Sequence, residues 1–372
     1  MIPIKYRLDS EAEKEYIEAV VSCMKDVEHY SEEIRLFLED ILHVGYSIGN
    51  EILSKAVRFQ KDYPDYYYLC AWLTMSFEEI EDVKGYLEEL IMRDIENINV
   101  RAKHIRKKFK EILSYSRLQK RRKYEYQSEP TLKSLLARAI EYDGIFRKFQ
   151  EFIAFYEDDF SSKGINNWIV NKTGVNVCPY CNISYTYNRE TAATAQLDHF
   201  FPKAEYPMFA LCFYNLVPSC AACNRIKSDG VQQMVSPYQE KAFENLKITW
   251  KYKGSTSNTK KKYDYKHSLK NLEDRIEIEI LTTSDAEQNN ISEMKITEAY
   301  EHHKDYASEI INKVKTYTNP EAQKLICNVL KSTGITTDEV ERFYFGNYTK
   351  EEDLQRRPLS KMTRDFYEEY KK

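Results

Sequence analysis

Two Cys-x-x-Cys pairs with a metal-binding spacing occur in this sequence. The first pair is Cys178 with Cys181, and the second is Cys220 with Cys223. Two thiolates separated by two residues can point at one ion from a tight turn, and two such pairs supply the four soft ligands of tetrahedral zinc. Four thiolates leave no open coordination position, so the spacing predicts a structural zinc ion rather than a catalytic one.

Other interpretations of the cysteines are weaker. A thioredoxin-like redox protein would need a single Cys-x-x-Cys pair next to a βαβ pattern, whereas this sequence has two pairs and no such pattern beside them. Zinc release on mild thiol oxidation, without catalytic turnover, would favour the redox interpretation. Cys212 lies between the pairs in an apolar run, and we expect it to pack rather than to act as a fifth ligand. We expect the same of Cys23, Cys70 and Cys327, which lie in helix-like apolar patterns.

Polar residues suited to phosphodiester hydrolysis lie between and after the pairs. Asp198 and His199 are adjacent among apolar letters that predict a strand, and Asn215 follows. Asn224 and Lys227 come after the second pair, where a helix would place them about one turn apart. Carboxylate and amide oxygens bind a hard cation, and a neutral histidine can take a proton from the attacking water. The cation stabilises charge on the phosphate, and a lysine adds positive charge.

The order of these residues resembles the HNH endonucleases, whose active site is a ββα-metal module. The motifs that carry the resemblance are CPYCN, QLDHFFPK and YNLVPSCAACNRIK. The resemblance that they carry covers roughly residues 166–238. These motifs are similar to those of HNH proteins of bacterial anti-phage defence, such as the nuclease subunit of Septu-type systems, where an ATPase partner is common.

The resemblance implies a role for each polar residue. Asp198 and Asn224 would bind one catalytic Mg²⁺ or Mn²⁺ ion, and His199 would be the general base. Asn215 would orient His199 by fixing the loop, and Lys227 would contact phosphate. The last position of the motif is Asn rather than His, a variant that resembles other active members.

The charge distribution indicates where nucleic acid would bind. The net charge is −4, so the whole chain is not a basic nucleic-acid binder, but local patches decide such binding. Residues 101–123 are strongly basic, with Glu111 as their one acid. This run is either a phosphate-binding surface or a solvated helix face. The candidate nucleic-acid contacts are Lys203, Arg225, Lys107, Lys108, Arg121 and Arg122.

The pattern along the chain predicts a mostly helical α+β protein. Apolar residues recur at helical spacing from Ser10 to Arg122. Alternating apolar residues predict two pairing strands near residues 246–252 and 276–280, and residues 290–318 are again helical in pattern. We therefore expect a central ββα-metal module with zinc knuckles between flanking regions. The predicted domains are a helical domain at 1–130, the HNH nuclease domain at 131–240, and a C-terminal strand pair with helices at 241–372.

These features lead to one functional hypothesis and one alternative. The chain is 42% hydrophobic, and it has neither a run of eighteen apolar residues nor an apolar signal core near its start, which predicts a cytoplasmic protein without a membrane partner. The hypothesis is a metal-dependent endonuclease that acts on DNA, as the effector of an anti-phage system and under restraint by partners. The residues themselves do not distinguish DNA from RNA as the substrate. The alternative is a zinc-stabilised nucleic-acid-binding or assembly module with an idle nuclease centre.

Overall fold

The chain folds into two compact units. The computed structural model describes residues 1–43, 47–92, 144–189, 194–227, 234–254 and 271–371. Unit 1 comprises Met1–Arg7, Asn166–Phe200 and Val217–Lys372, and unit 2 comprises Leu8–Ile165 and Phe201–Leu216. Each unit is therefore assembled from segments that are distant in sequence. The division into domains at residues 130 and 240 stays a prediction.

Unit 2 is helical. Its elements are α1 (Ser10–Val21), α2 (Val27–His43), α3 (Ile48–Phe59), α4 (Tyr67–Leu73), α5 (Phe77–Met92), α6 (Gln150–Phe155), a π-helical turn (Tyr156–Phe160) and 3₁₀ turns at Pro207–Phe209 and Phe213–Asn215. Asp9 caps α1 by accepting hydrogen bonds from the backbone N–H groups of Glu11 and Ala12. The predicted helical character is confirmed as far as Met92, and residues 93–122 lie outside the described residues.

The core of unit 2 is centred on Trp72. Its ring stacks on Phe149 and Phe209, each with a centroid distance of 6.1 Å. Its Nε1–H donates to the carbonyl of Met208 at 2.8 Å, which satisfies the one polar atom of a buried indole. Cys212 is buried here with its Sγ 3.4 Å from the carbonyl oxygen of Trp72, so it packs in the core as predicted.

Unit 1 mixes helices with two short sheets. Its elements are α7 (Ile165–Thr173), β1 (Gln196–His199), β2 (Leu216–Ser219), α8 (Ala221–Lys227), β3 (Lys247–Tyr252), β4 (Ile276–Leu281), α9 (Asp285–Glu293), α10 (Ile296–Glu301), α11 (Lys304–Tyr317), α12 (Pro320–Ser332), α13 (Thr337–Phe345) and α14 (Ser360–Lys371). The first residues of α7 and β2 fall on the unit 2 side of the boundary. The predicted fold class, α+β and mostly helical, is confirmed.

The predicted strand pair is confirmed. Strands β3 and β4 are antiparallel, with a register that runs from Lys247 opposite Leu281 to Tyr252 opposite Ile276. The alternating apolar residues fill one side of this sheet, because Trp250 is buried opposite Ile278. Period-two alternation therefore identified both strands and their pairing.

The predicted helical stretch at 290–318 divides into separate helices. Helix α9 ends before Lys295, which adopts a left-handed backbone with φ of 50°. A second break lies at His302 and His303, where α10 ends and α11 begins. Periodicity missed these breaks because neither contains the glycine or proline that marks a helix end in sequence. None of the described helices combines the length and the apolar character that a membrane crossing requires.

Candidate functional site

The four predicted zinc ligands meet in unit 1. The sulfur atoms of Cys178, Cys181, Cys220 and Cys223 lie within 4.8 Å of one another, and all four residues are buried. Backbone N–H groups donate to one sulfur of each pair, that of Cys223 to Cys220 Sγ at 3.5 Å and that of Ile183 to Cys181 Sγ at 3.4 Å. This sulfur cluster can bind a metal, and four thiolate donors fit tetrahedral zinc.

The thiols of the cluster affect one another's ionisation because they are buried and hydrogen-bonded to each other. Burial is the main cause that raises the pKa of Cys178 well above its usual value. Hydrogen bonding from Cys178 is the main cause that lowers the pKa of Cys220. Buried thiolates repel one another, so a dication in their midst would stabilise the ionised form of all four.

A strand–strand–helix segment carries the predicted catalytic residues. Strands β1 and β2 form a two-stranded sheet, and α8 begins within the second cysteine pair at Ala221. Asp198 and His199 are the last two residues of β1, so their side chains leave opposite faces of the strand. Asp198 is buried and His199 is half-buried.

The Asp198 carboxylate is held by two buried donors. Tyr180 Oη donates to Oδ2 at 2.6 Å, and Lys227 Nζ lies 3.1 Å from each carboxylate oxygen. The side chains of Lys227 and Asp198 are 1% and 4% exposed, so this is a buried ion pair. Lys227 also donates to the backbone carbonyl of His199 at 2.9 Å. Burial, reinforced by the nearby carboxylate, raises the pKa of Tyr180, which therefore remains a protonated donor.

Asn224 contacts a different residue of β1. Its Nδ2 donates to Gln196 Oε1 at 2.8 Å, which leaves its amide oxygen as the atom that it can offer a cation. Asn224 and Lys227 share α8, as the sequence predicted, but Lys227 points into the buried interior and Asn224 is partly exposed. The structure therefore brings Lys227, rather than Asn224, to the carboxylate of Asp198.

Asn215 fixes backbone within unit 2. Its Oδ1 accepts the N–H of Phe201 at 2.8 Å, and its Nδ2 donates to the carbonyls of Phe201 and Phe209 at 3.1 and 3.0 Å. The residue is fully buried. Asn215 thus fixes the chain at Phe201, two residues after His199 in sequence.

The predicted nucleic-acid contacts have different surroundings. Lys203, in unit 2, pairs with Glu157 at 2.7 Å and lies over the ring of Tyr156. Arg225 is exposed on α8. The remaining candidates lie outside the described residues, and these are Lys107, Lys108, Arg121 and Arg122.

Sequence reasoning missed two residues of this site. Tyr180 lies inside the first Cys-x-x-Cys pair, and Gln196 opens β1. For Tyr180 the only sequence signal is its position between two predicted zinc ligands, where its apolar ring favours burial while its hydroxyl needs a partner. No motif identifies Gln196. Among the other cysteines, Cys23 and Cys70 are buried as predicted, whereas Cys327 is partly exposed.

The chain is similar to a phage protein over a short region. It is 34% identical over 88 residues to Protein ea31 of Escherichia phage lambda, and the alignment covers 22% of this chain and 27% of that protein. The chain thus spans about a quarter of the length of this curated relative. No protein-family profile matches the chain. No solved structure matches it.

Proposed function

We propose that the chain is a metal-dependent HNH endonuclease that hydrolyses phosphodiester bonds in DNA. The observation that carries the proposal is the position of His199, which is half-buried at the end of β1 in a strand–strand–helix segment. The same segment contributes Cys220 and Cys223 to the sulfur cluster, which we assign to a structural zinc ion. The motif resemblance supplies the reaction, and the strand–strand–helix order supports it.

The donor chemistry near His199 fits a second, hard cation. Asp198 offers carboxylate oxygens and Asn224 an amide oxygen, which are ligand types that Mg²⁺ and Mn²⁺ accept. A carboxylate has about four lone-pair sites, and Tyr180 and Lys227 use part of them. Lys227 would compete with the cation for Asp198. When bound, the cation would stabilise negative charge on the scissile phosphate and the leaving oxygen.

The residues of this chain would perform the remaining steps. The His199 imidazole would take the proton from the attacking water, which is the work of a general base. Lys227 holds the backbone carbonyl of His199 and so fixes the end of β1. Asn215 holds the backbone two residues further along. In this proposal Lys227 acts mainly through Asp198 and the His199 carbonyl rather than by contacting phosphate.

Cleavage of supercoiled plasmid in Mg²⁺ or Mn²⁺ tests the proposal. The His199→Ala variant should cut about 10²–10⁴-fold more slowly than wild type, because a general base contributes about that factor. His302→Ala is the matched control, since His302 is an exposed histidine of the same unit. Zinc content should be equal in all three proteins. Cutting by His199→Ala at the wild-type rate would refute the assignment, and an RNA substrate in the same assay would define the nucleic acid.

The buried Lys227–Asp198 pair favours a second candidate function. An ammonium group in contact with both oxygens of the predicted metal ligand suits a nucleic-acid-binding module whose nuclease centre is idle. Equal absence of cutting in wild type and His199→Ala, with zinc intact, would support it. Restored cutting on addition of an ATPase partner would instead support a restrained nuclease of a defence system.

A further inference from the structure

Three arginines surround one tyrosine near the C-terminal end of unit 1. The guanidinium carbons of Arg342, Arg356 and Arg357 lie 5.9, 5.6 and 5.8 Å from the ring centre of Tyr348. We call these four residues the arginine cluster. The side chains of Arg342 and Arg356 are 45% and 59% exposed. Exposed cation–π contacts stabilise only weakly, and three guanidinium groups repel one another, so packing alone explains this arrangement poorly.

The cluster retains positive charge after its carboxylate partners are counted. Arg342 pairs with Glu339 at 3.0 Å, and Arg356 pairs through Nε with Asp353 at 3.1 Å. Arg357 donates to the carbonyl of Gly346, and within the described ranges it has no carboxylate partner in ion-pair distance. The three guanidinium groups of the cluster therefore have two carboxylates as ion-pair partners. Hydrogen bonding from Arg356 is the main cause that lowers the pKa of Tyr348.

Buried Asn347 fixes the geometry of the cluster. Its Oδ1 accepts the N–H of Tyr348 at 2.9 Å, and its Nδ2 donates to the carbonyl of Pro358 at 2.8 Å. The two segments that carry Tyr348 and Arg357 are thus joined through one amide. Helix α13 ends at Phe345, and Gly346, with a φ of 71°, turns the chain toward Asn347.

The same segment is fastened to the first cysteine pair. Asn182 directly follows Cys181, and its Nδ2 donates to the carbonyl of Leu354 at 3.1 Å. Its Oδ1 accepts the N–H of Lys361 at 2.9 Å, and its backbone carbonyl accepts the N–H of Leu359 at 2.6 Å. Residues 354–361, which include Arg356 and Arg357, are therefore bonded to the turn that presents the sulfur cluster.

We propose that the arginine cluster binds phosphate groups of the DNA backbone and so holds DNA on the unit that carries His199. Guanidinium groups are exposed, fixed in place and partly unneutralised here, and their planar donors match phosphate oxygens. Phe343, the next residue after Arg342 on α13, is 64% exposed and offers a ring on which a base can stack. The proposal rests on the proposed function only in taking DNA as the ligand.

The test measures binding separately from cleavage. Anisotropy of a labelled duplex is recorded without Mg²⁺, in the His199→Ala background, across a range of salt concentrations. The pair Arg356→Gln/Arg357→Gln removes two cations, and Arg356→Lys/Arg357→Lys keeps them. Arg58→Gln is the control, because Arg58 is 61% exposed, paired with Glu13 and part of unit 2.

Loss of two phosphate contacts should reduce the slope of log affinity against log salt by about 1.8. Between 50 and 200 mM salt, the background protein should then lose about 12-fold more affinity than the glutamine pair. The lysine pair should keep most of the slope, since a lysine also neutralises a phosphate. Arg58→Gln should leave the slope unchanged.

An unchanged slope in the glutamine pair would overturn the proposal. It would also be overturned if the glutamine and lysine pairs weakened DNA affinity equally and lost equal thermal stability. No DNA binding by the background protein would also overturn it. Binding of a phosphotyrosine peptide, lost in the glutamine pair, would then assign the cluster to a protein partner. If wild-type cleavage depended on His199 while the slope stayed unchanged in the glutamine pair, the role of the arginine cluster would be refuted and the proposed nuclease function would be retained.

Discussion

Removal of the cation from the Lys227–Asp198 pair should destabilise unit 1 strongly. Methionine has nearly the length of lysine without its charge, so Lys227→Met leaves the carboxylate of Asp198 buried, with Tyr180 as its remaining side-chain donor among the described residues. Breaking a buried ion pair by removal of one partner costs about 3–5 kcal/mol, because the other charge stays desolvated and uncompensated. The variant also loses the hydrogen bond to the His199 carbonyl.

The expected change is large enough to measure by thermal unfolding. Unit 1 has about 200 residues. A loss of 1 kcal/mol lowers the melting temperature of a unit of that size by about 2–4 °C, so Lys227→Met should melt about 6–20 °C lower. Arg225→Met is the matched control, since it removes an exposed cation from the same helix and should change stability by less than about 0.5 kcal/mol.

A double variant separates the ion pair from side-chain packing. In Asp198→Asn/Lys227→Met the buried charge is gone and the asparagine oxygen can still accept from Tyr180. This protein should be more stable than Lys227→Met alone, although it carries one more substitution. The reasoning would be refuted if Lys227→Met were no less stable than Arg225→Met, or if the double variant were the least stable of the three. Zinc content is measured in each, so that metal loss is not mistaken for loss of the pair.

Three further predictions concern the sulfur cluster and Asn215. Cys220→Ser should reduce bound zinc below one ion per chain and lower the melting temperature, as measured by metal analysis and calorimetry; Cys212→Ser, outside the cluster, should keep its zinc. Acidification should release zinc, because protons compete with the metal for the thiolates, and a zinc indicator would measure the release. Retention of zinc at a pH where exposed zinc thiolates dissociate would contradict this prediction. Asn215→Ala should destabilise unit 2 by about 2–4 kcal/mol by leaving buried backbone groups of Phe201 and Phe209 unpaired, whereas Asn50→Ala, at an exposed position, should have little effect in urea unfolding.

Local spacing in the sequence was sufficient to predict the features that depend on residues close together in the chain. The Cys-x-x-Cys turns place two sulfurs together whatever the rest of the chain does, and the four sulfurs do meet. Alternation around Trp250 and Ile278 identified the paired strands, because period two assigns one face of each strand to the interior. Helix breaks such as that at Lys295 were missed, since a left-handed lysine is selected by surrounding packing rather than by its own preference.

The partners of the polar side chains were decided by tertiary structure alone. The sequence predicted that Lys227 lies one helical turn from Asn224. It did not show which of the two would reach Asp198. Tyr180 meets that carboxylate across eighteen residues of chain, and Asn182 bonds to residues more than 170 positions away. Such contacts depend on side-chain direction and on the desolvation of each group, and both are set only when distant segments pack together. The sequence by itself thus determined which residues have the types and spacing of candidate site residues, and the tertiary structure decided which of them are neutralised, buried or exposed.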